Sequence, residues 1–186
     1  MTASSSFSAH SSKPSPWVIR FADTVPQWGP VLDLAAGKGR HARYFKSLGY
    51  KVAALDRDVG GLADLAGDPR IEIIAANLED GSPWPLAGRR FAGIVVANYL
   101  HRPLMPYLIQ ALAPGGVLIY ETFALGNERY GRPSNPDFLL RPGELLDYAK
   151  QHELTVLGYE QVEMEEPKPA VIQHLAARRE SCRSEA

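Results

Sequence analysis

Apolar and polar residues fall in blocks along this chain, and the blocks predict alternating helices and strands. Ser15 and Pro16 suit a helix N-cap and first helical position, and Trp17, Val18, Phe21 and Val25 recur after them at helical spacing. The run Val31-Leu32-Asp33-Leu34-Ala35 predicts a buried strand broken only by its aspartate. The turn Ala36-Gly37-Lys38-Gly39 opens a helix whose Ala42, Phe45 and Leu48 share a face and which Gly49 closes. Val52 to Leu55 predicts a second strand ending at Asp56, Val59 to Leu65 a short helix, and Ile71 to Ala75 a third strand. Residues 76–90 carry Gly81, Pro83, Pro85 and Gly88 and read as loop.

Strand four is expected over Phe91 to Ala97 and a helix over Pro103 to Leu112. The turn Ala113-Pro114-Gly115-Gly116 leads into strand five, Val117 to Thr122. The polar stretch 124–137 is longer than a plain connector and is a lid candidate. A helix over Pro142 to Lys150 and two apolar segments, Leu154 to Val162 and Ala170 to Ala176, complete the pattern; the short link between the last two suits antiparallel pairing. Continuously apolar strands alternating with helices indicate a parallel sheet covered on both faces, so the expectation is a doubly wound α/β domain with an antiparallel strand near its end. It spans residues 15–179, with tails at 1–14 and 180–186.

Composition narrows the functional classes. The 186 residues are 45% hydrophobic and 22% charged with a net charge of -1, so no strong field gathers nucleic acid or an anionic membrane, and neither partner is expected. Cys182 stands alone, which excludes an internal disulfide framework and a Cys-rich zinc site; no metal is expected. No apolar run reaches the ~18–20 residues that cross a bilayer. The Ser-rich start lacks the apolar core of a secretory signal, and its first arginine is Arg20; it reads as a disordered tail of a cytoplasmic protein.

In such sheets ligands bind at the carboxyl ends of the strands, where strand order reverses. Gly37-Lys38-Gly39 lets backbone approach a ligand there, ahead of a helix N-terminus, and Asp56 follows 17 residues beyond Gly39, near the spacing at which an acidic residue takes ribose hydroxyls. Both features fit a dinucleotide site equally well. Asp33 separates the two nucleotide readings, because a charge inside an apolar, doubly covered strand is costly unless donors meet it, and dinucleotide fingerprints are apolar at that point.

Val31-Leu32-Asp33-Leu34-Ala35-Ala36-Gly37-Lys38-Gly39 resembles motif I of class I S-adenosylmethionine (SAM)-dependent methyltransferases. Asn77-Leu78, Leu112-Ala113-Pro114-Gly115-Gly116 and the closing pair of apolar segments match further elements of that family. Gly39-Arg40-His41, Asn98-Tyr99-Leu100-His101-Arg102 and Glu121-Thr122-Phe123 resemble small bacterial members of the tellurite-resistance (TehB-like) type. The resemblance implies a Rossmann-like sheet of seven strands, mostly parallel with one antiparallel strand near the C-terminus, and SAM as cofactor.

The resemblance also implies a cofactor set. It comprises Asp33, Ala35, Gly37, Gly39, Arg40 and His41 from motif I, Asp56 and Arg57 after strand two, Asn77 and Leu78 for the adenine edge, and Asn98 after strand four. Arg40, His41 and Arg20 are candidates for the SAM carboxylate. Ala35 departs from the family's usual glycine, and its residue type is expected to hold ordinary strand geometry. The activity implied is methyl transfer by in-line displacement to a small acceptor: a thiol, a chalcogen oxyanion, or an oxygen or nitrogen nucleophile. Tyr99 is expected to lend its ring to the sulfonium or to pack as a half-buried aromatic, His101 to act as base or only as a helix-start residue, and Tyr130 and Arg132 to close over the substrate or to decorate a loop. A nicotinamide-dependent oxidoreductase and a non-catalytic SAM-binding module are the alternatives. Oligomeric state is open.

Overall fold

Strand order β3-β2-β1-β4-β5-β7-β6 defines the molecule, a seven-stranded sheet in a computed structural model that describes residues 13–165 and 168–181. The strands are β1 (Val31–Leu34), β2 (Val52–Asp56), β3 (Ile71–Ala75), β4 (Phe91–Ala97), β5 (Leu112–Phe123), β6 (Leu154–Met164) and β7 (Ala170–Arg179). Pairs among β1 to β5 are parallel, and β7 runs antiparallel to both β5 and β6. The helices are α1 (Pro16–Phe21), α2 (Arg40–Ser47), α3 (Met105–Ala111) and α4 (Glu144–Gln151).

Alternation along each strand divides the core in two. Leu32, Leu34, Ile94, Val96, Leu118 and Tyr120 face one way, onto α3 and α4 through Leu108, Leu145 and Tyr148. Val31, Ala54, Val95, Ile119 and Ala176 face the other way, onto α1 and α2 through Trp17, Phe21, Ala42 and Phe45. Each large side chain taken fully from water contributes about 1.5–3 kcal/mol, so both faces of β4 stabilise the fold. Among the described residues no helix is long and apolar enough to cross a membrane.

The structure departs from the sequence reading in a few places. The Ala113–Gly116 turn is part of β5, which already pairs with Phe91 at Leu112; a register irregularity between Phe91 and Gly93 absorbs Pro114 and Gly115 (φ 77°). The segment Gly60–Leu65 is 3-10 rather than α-helical, since its two leading glycines weaken α propensity. The expected helix from Pro103 splits into a 3-10 turn, Arg102–Leu104, and α3, which starts with Pro106 near its N-terminus. β6 and β7 run to Met164 and Arg179, beyond the expected ends. Residues 1–12 of the expected N-terminal tail, Glu166 and Pro167 of the hairpin link, and Cys182 with the residues after it lie outside the described residues.

Candidate functional site

Strand order reverses between β1 and β4, so the crevice of a doubly wound sheet lies over their carboxyl ends. Asp33 sits just below it, 2% exposed. Its Oδ2 accepts a hydrogen bond from Ala42 N at 2.8 Å. The N-cap of α2 is Gly39 (φ 72°), which has no side chain to satisfy the first donors, and Asp33 supplies the missing acceptor from the strand below. Burial pushes the Asp33 carboxyl up to about 7, with the Ala42 bond and Arg40 pulling the other way. His41 stands beside it, Nδ1 3.9 Å from Asp33 Oδ1, while its Nε2 accepts from Ser15 N at 3.3 Å. Burial pushes this imidazole down to about 3, so it is neutral.

The glycine turn is built for close approach. A Cβ on Gly37 (φ 54°) would meet nothing within 4 Å, whereas one on Gly39 would strike Leu62 and lie 2.7 Å from Arg43 Nη1. Gly37 faces open space; Gly39 is packed. Asp56 ends β2 with Oδ2 accepting from Gly37 N at 2.7 Å and Oδ1 from Asp58 N at 2.9 Å. The carboxylate thus holds the glycine turn, and each oxygen keeps a second lone pair for a ligand hydroxyl. Arg57, next to it, is exposed. Asn77 is exposed, its Oδ1 accepting from Glu79 N at 3.0 Å, and Leu78 packs partly against the core. Asn98 is exposed with φ 55°, a backbone region asparagine tolerates, and its N–H donates to Glu121 O. Ala35 corrects an expectation: its φ is 55°, in the left-handed region and not in strand geometry, a backbone shape that costs alanine about 1–2 kcal/mol.

The loop after β4 carries Tyr99 and His101. Tyr99 packs partly against the core; its carbonyl accepts from Tyr120 Oη at 2.9 Å, while its own buried hydroxyl, with Glu79 nearby, finds no partner of ordinary hydrogen-bond geometry among the described residues. Burial, with Glu79 nearby, pushes that hydroxyl up. His101 is half-buried, and its side chain makes no capping hydrogen bond to the turn it opens. Arg102 grips Glu144 through Nε–Oε1 at 2.6 Å and Nη2–Oε2 at 2.9 Å, and donates to Asp137 O and Leu139 O. The end of the lid candidate is therefore tied to α4 and to the β4–α3 loop. Tyr130 hydrogen-bonds Glu163 near the end of β6, and Arg132 is exposed, joined to Pro133 by a cis bond.

One group has no counterpart among the sequence-derived site residues. Glu121, His174 and Glu160 stand in register on β5, β7 and β6, on the face covered by α1. Glu121 receives Ser15 Oγ at 2.5 Å and faces Arg40 Nη2 at 3.5 Å. His174 Nε2 lies 3.6 Å from Glu121 Oε2, and its Nδ1 lies 3.6 Å from Glu160 Oε1. Trp17 stacks on His174 with centroids 5.0 Å apart. Trp17 Nε1 and His174 Nδ1 are both buried without a hydrogen-bond partner, each at about 1–3 kcal/mol. Gln173-His174 inside an otherwise apolar strand was the available signal.

No family model matches the sequence, and no curated protein matches it. Solved structures do. TehB from Haemophilus influenzae superposes with a TM-score of 0.66 at 19% identity, over 88% of this chain and 61% of that one. The 1,6-didemethyltoxoflavin N1-methyltransferase of Burkholderia thailandensis, solved with its substrate and S-adenosylhomocysteine (SAH), gives 0.64 at 21% over 89% and 76%. The glycopeptide N-methyltransferase MtfA in complex with SAH gives 0.60 at 20% over 87% and 88%. This is the class I methyltransferase fold. The antiparallel β7 between β5 and β6 distinguishes it from the dinucleotide-binding order 3-2-1-4-5-6. Within the methyltransferase fold, Asp56 bonds the Gly37–Gly39 turn directly and Asp33 bonds Ala42 in the helix that this turn opens, whereas Tyr130 hydrogen-bonds Glu163 on β6.

Proposed function

We propose that this protein is an enzyme that transfers the methyl group of SAM to a small-molecule acceptor. The observation that carries the reading is the joined set at the switch point of a class I fold: Asp33 capping α2 from below, and Asp56 holding a glycine turn whose Gly37 faces open space. The donor set fits the cofactor. Asp56 offers lone pairs to ribose hydroxyls, Asn77 and Leu78 offer an amide and a backbone group to the adenine edge, and Gly37, Gly39, Ala35, Arg57 and Asn98 line the remaining contour. Arg40 is assigned to the carboxylate. His41 acts one step back, because its ring nitrogens are turned to Ser15 and Asp33.

When bound, SAM supplies a methyl group already activated by a sulfonium leaving group. The protein's work is then orientation, which contributes several kcal/mol, and exclusion of water. Tyr99 and His101 are assigned to the acceptor side, with the Tyr99 ring contributing about 0.5–2 kcal/mol of cation–π attraction. A net charge near zero supports a small acceptor over a polymer, as do neighbours that methylate a glycopeptide and a toxoflavin precursor. Tyr130 and Arg132 are kept as substrate-loop residues in this reading. The test is calorimetry with SAH. Micromolar binding that Asp56→Ala weakens at least tenfold is the expected result, and absence of SAH binding by the parent protein refutes the proposal. SAH binding without turnover on any acceptor would leave a non-catalytic SAM-binding module.

A further inference from the structure

The row Glu121–His174–Glu160 has features that packing alone does not account for. It crosses β5, β7 and β6 at the end of the sheet where the crevice lies, and Glu121 pairs in register with Ala97, the last residue of β4. Adjacent strands are about 4.8 Å apart, so two steps place His174 about 10 Å from β4. The imidazole stands between two carboxylates. With Nε2–H turned to Glu121, the Nδ1 lone pair is left free, and Nδ1 is a buried atom without a hydrogen-bond partner. The indole nitrogen of Trp17, stacked on the same ring, is also without one.

We propose that the methyl acceptor is an amine or an alcohol bound beside His174, which takes the proton that the acceptor loses, with Glu121 orienting the imidazole and Glu160 stabilising its charged form. The inference rests on the methyl-transfer reading above and assigns to His174 the proton-taking role expected of His101. The acceptor's lone pair forms the new bond to the methyl carbon. The carbon–sulfur electron pair stays on sulfur, and the acceptor's proton ends on Nδ1, from which Glu160, its side chain 42% exposed, passes it to solvent. Burial keeps His174 below its ordinary range and therefore neutral and able to accept, while Glu160 opposes that shift. The charged groups around the ring are Glu121, Glu160, Arg40 through Glu121, and Arg20 over the Trp17 indole. Arg40 faces Glu121 and is the group assigned to the SAM carboxylate, so an anionic acceptor beside His174 meets the two carboxylates, while an N–H or O–H donor meets an imidazole lone pair and a carboxylate. Trp17 covers the ring here and has to swing aside for the acceptor to reach it.

The full chain, labelled with carbon-13 at histidine Cε1 and saturated with SAH, is titrated with ethanolamine, 2-mercaptoethanol and selenite, the His174 signal being assigned from H174Q. Ethanolamine is expected to shift that signal saturably, and selenite is not. E160Q is expected to move the His174 titration midpoint lower and to move the acid limb of the pH–rate profile with it; a midpoint that shifts while the rate profile stays fixed overturns the proton-taking role. On a panel of amines and alcohols, H174Q is expected to lose about 100-fold or more of SAH release while its SAH affinity stays within about twofold of the parent. A signal shifted only by the thiol or selenite, or by no probe, overturns the proposal, as does turnover confined to thiols or oxyanions, or full turnover in H174Q. Loss of SAH binding by the parent protein instead refutes the methyl-transfer reading itself, whatever ethanolamine does.

Discussion

Replacing Asp33 by asparagine tests the energetics at the centre of the site. The folded chain raises this carboxyl from 3.8 to about 7, chiefly by burial, so it holds its proton about a thousandfold more tightly than the unfolded chain does. Below pH 3.8 both states carry the proton and ionisation adds nothing. Between there and about pH 7 the unfolded chain ionises freely while the folded one does not, and stability falls steadily to a deficit of about 4 kcal/mol. Above pH 7 the loss levels off. An asparagine keeps an oxygen for Ala42 N–H and removes the titration. Buried Glu121, also raised, and His41, lowered, titrate in both proteins and cancel in the difference. Urea unfolding from pH 4.5 to 8.5 is the assay, with Asp33→Asn minus parent as the readout. The difference is expected to grow in favour of the variant by about 2–4 kcal/mol between pH 4.5 and 7.5 and then to flatten. Parallel stability profiles for the two proteins would refute the argument that Asp33 is held at a cost in the ligand-free chain.

Three further outcomes follow from the same geometry. Gly39→Ala, which meets Leu62 and Arg43 as well as left-handed strain, should destabilise by about 3–5 kcal/mol in urea unfolding; Gly37→Ala, with open space, should lose only about 1 kcal/mol yet weaken SAH binding in calorimetry. Ala35→Gly should raise stability by about 0.5–1 kcal/mol by relieving its φ of 55°, seen as a higher urea midpoint. Arg102→Ala should cost about 2–4 kcal/mol, because it leaves the mostly buried Glu144 with Arg141 as its remaining basic partner, and limited proteolysis should then cut residues 135–141 faster.

The sheet was readable because β1, β2 and β4 are buried on both faces and therefore continuously apolar, and because Asp33 is conspicuous inside such a strand. Ser15 was readable as a cap, and its Oγ does accept from Trp17 N. The left-handed backbone of Ala35 was not, since alanine carries no mark of it; the surrounding turn over-determines that conformation. The absorption of Pro114 and Gly115 into β5 was hidden for a related reason, because turn residues also suit a strand irregularity. His174 was missed because β7 meets β5 only through pairing between segments about 50 residues apart in the chain, which local pattern does not reveal, although the β6–β7 hairpin itself was expected.

The direction of β7 has a practical side. It leaves the sheet at Arg179, which donates to Ile109 O and Leu112 O, and Ser181 then lies beside Gly115, at the end opposite the glycine turn. Ser15, by contrast, hydrogen-bonds Glu121 itself. An affinity tag or surface tether placed after residue 181 is anchored on the far side of the sheet, whereas one placed ahead of Ser15 is leashed to the mouth of the crevice. Immobilised ligand-binding measurements on this protein therefore call for attachment beyond residue 181 and not ahead of Ser15.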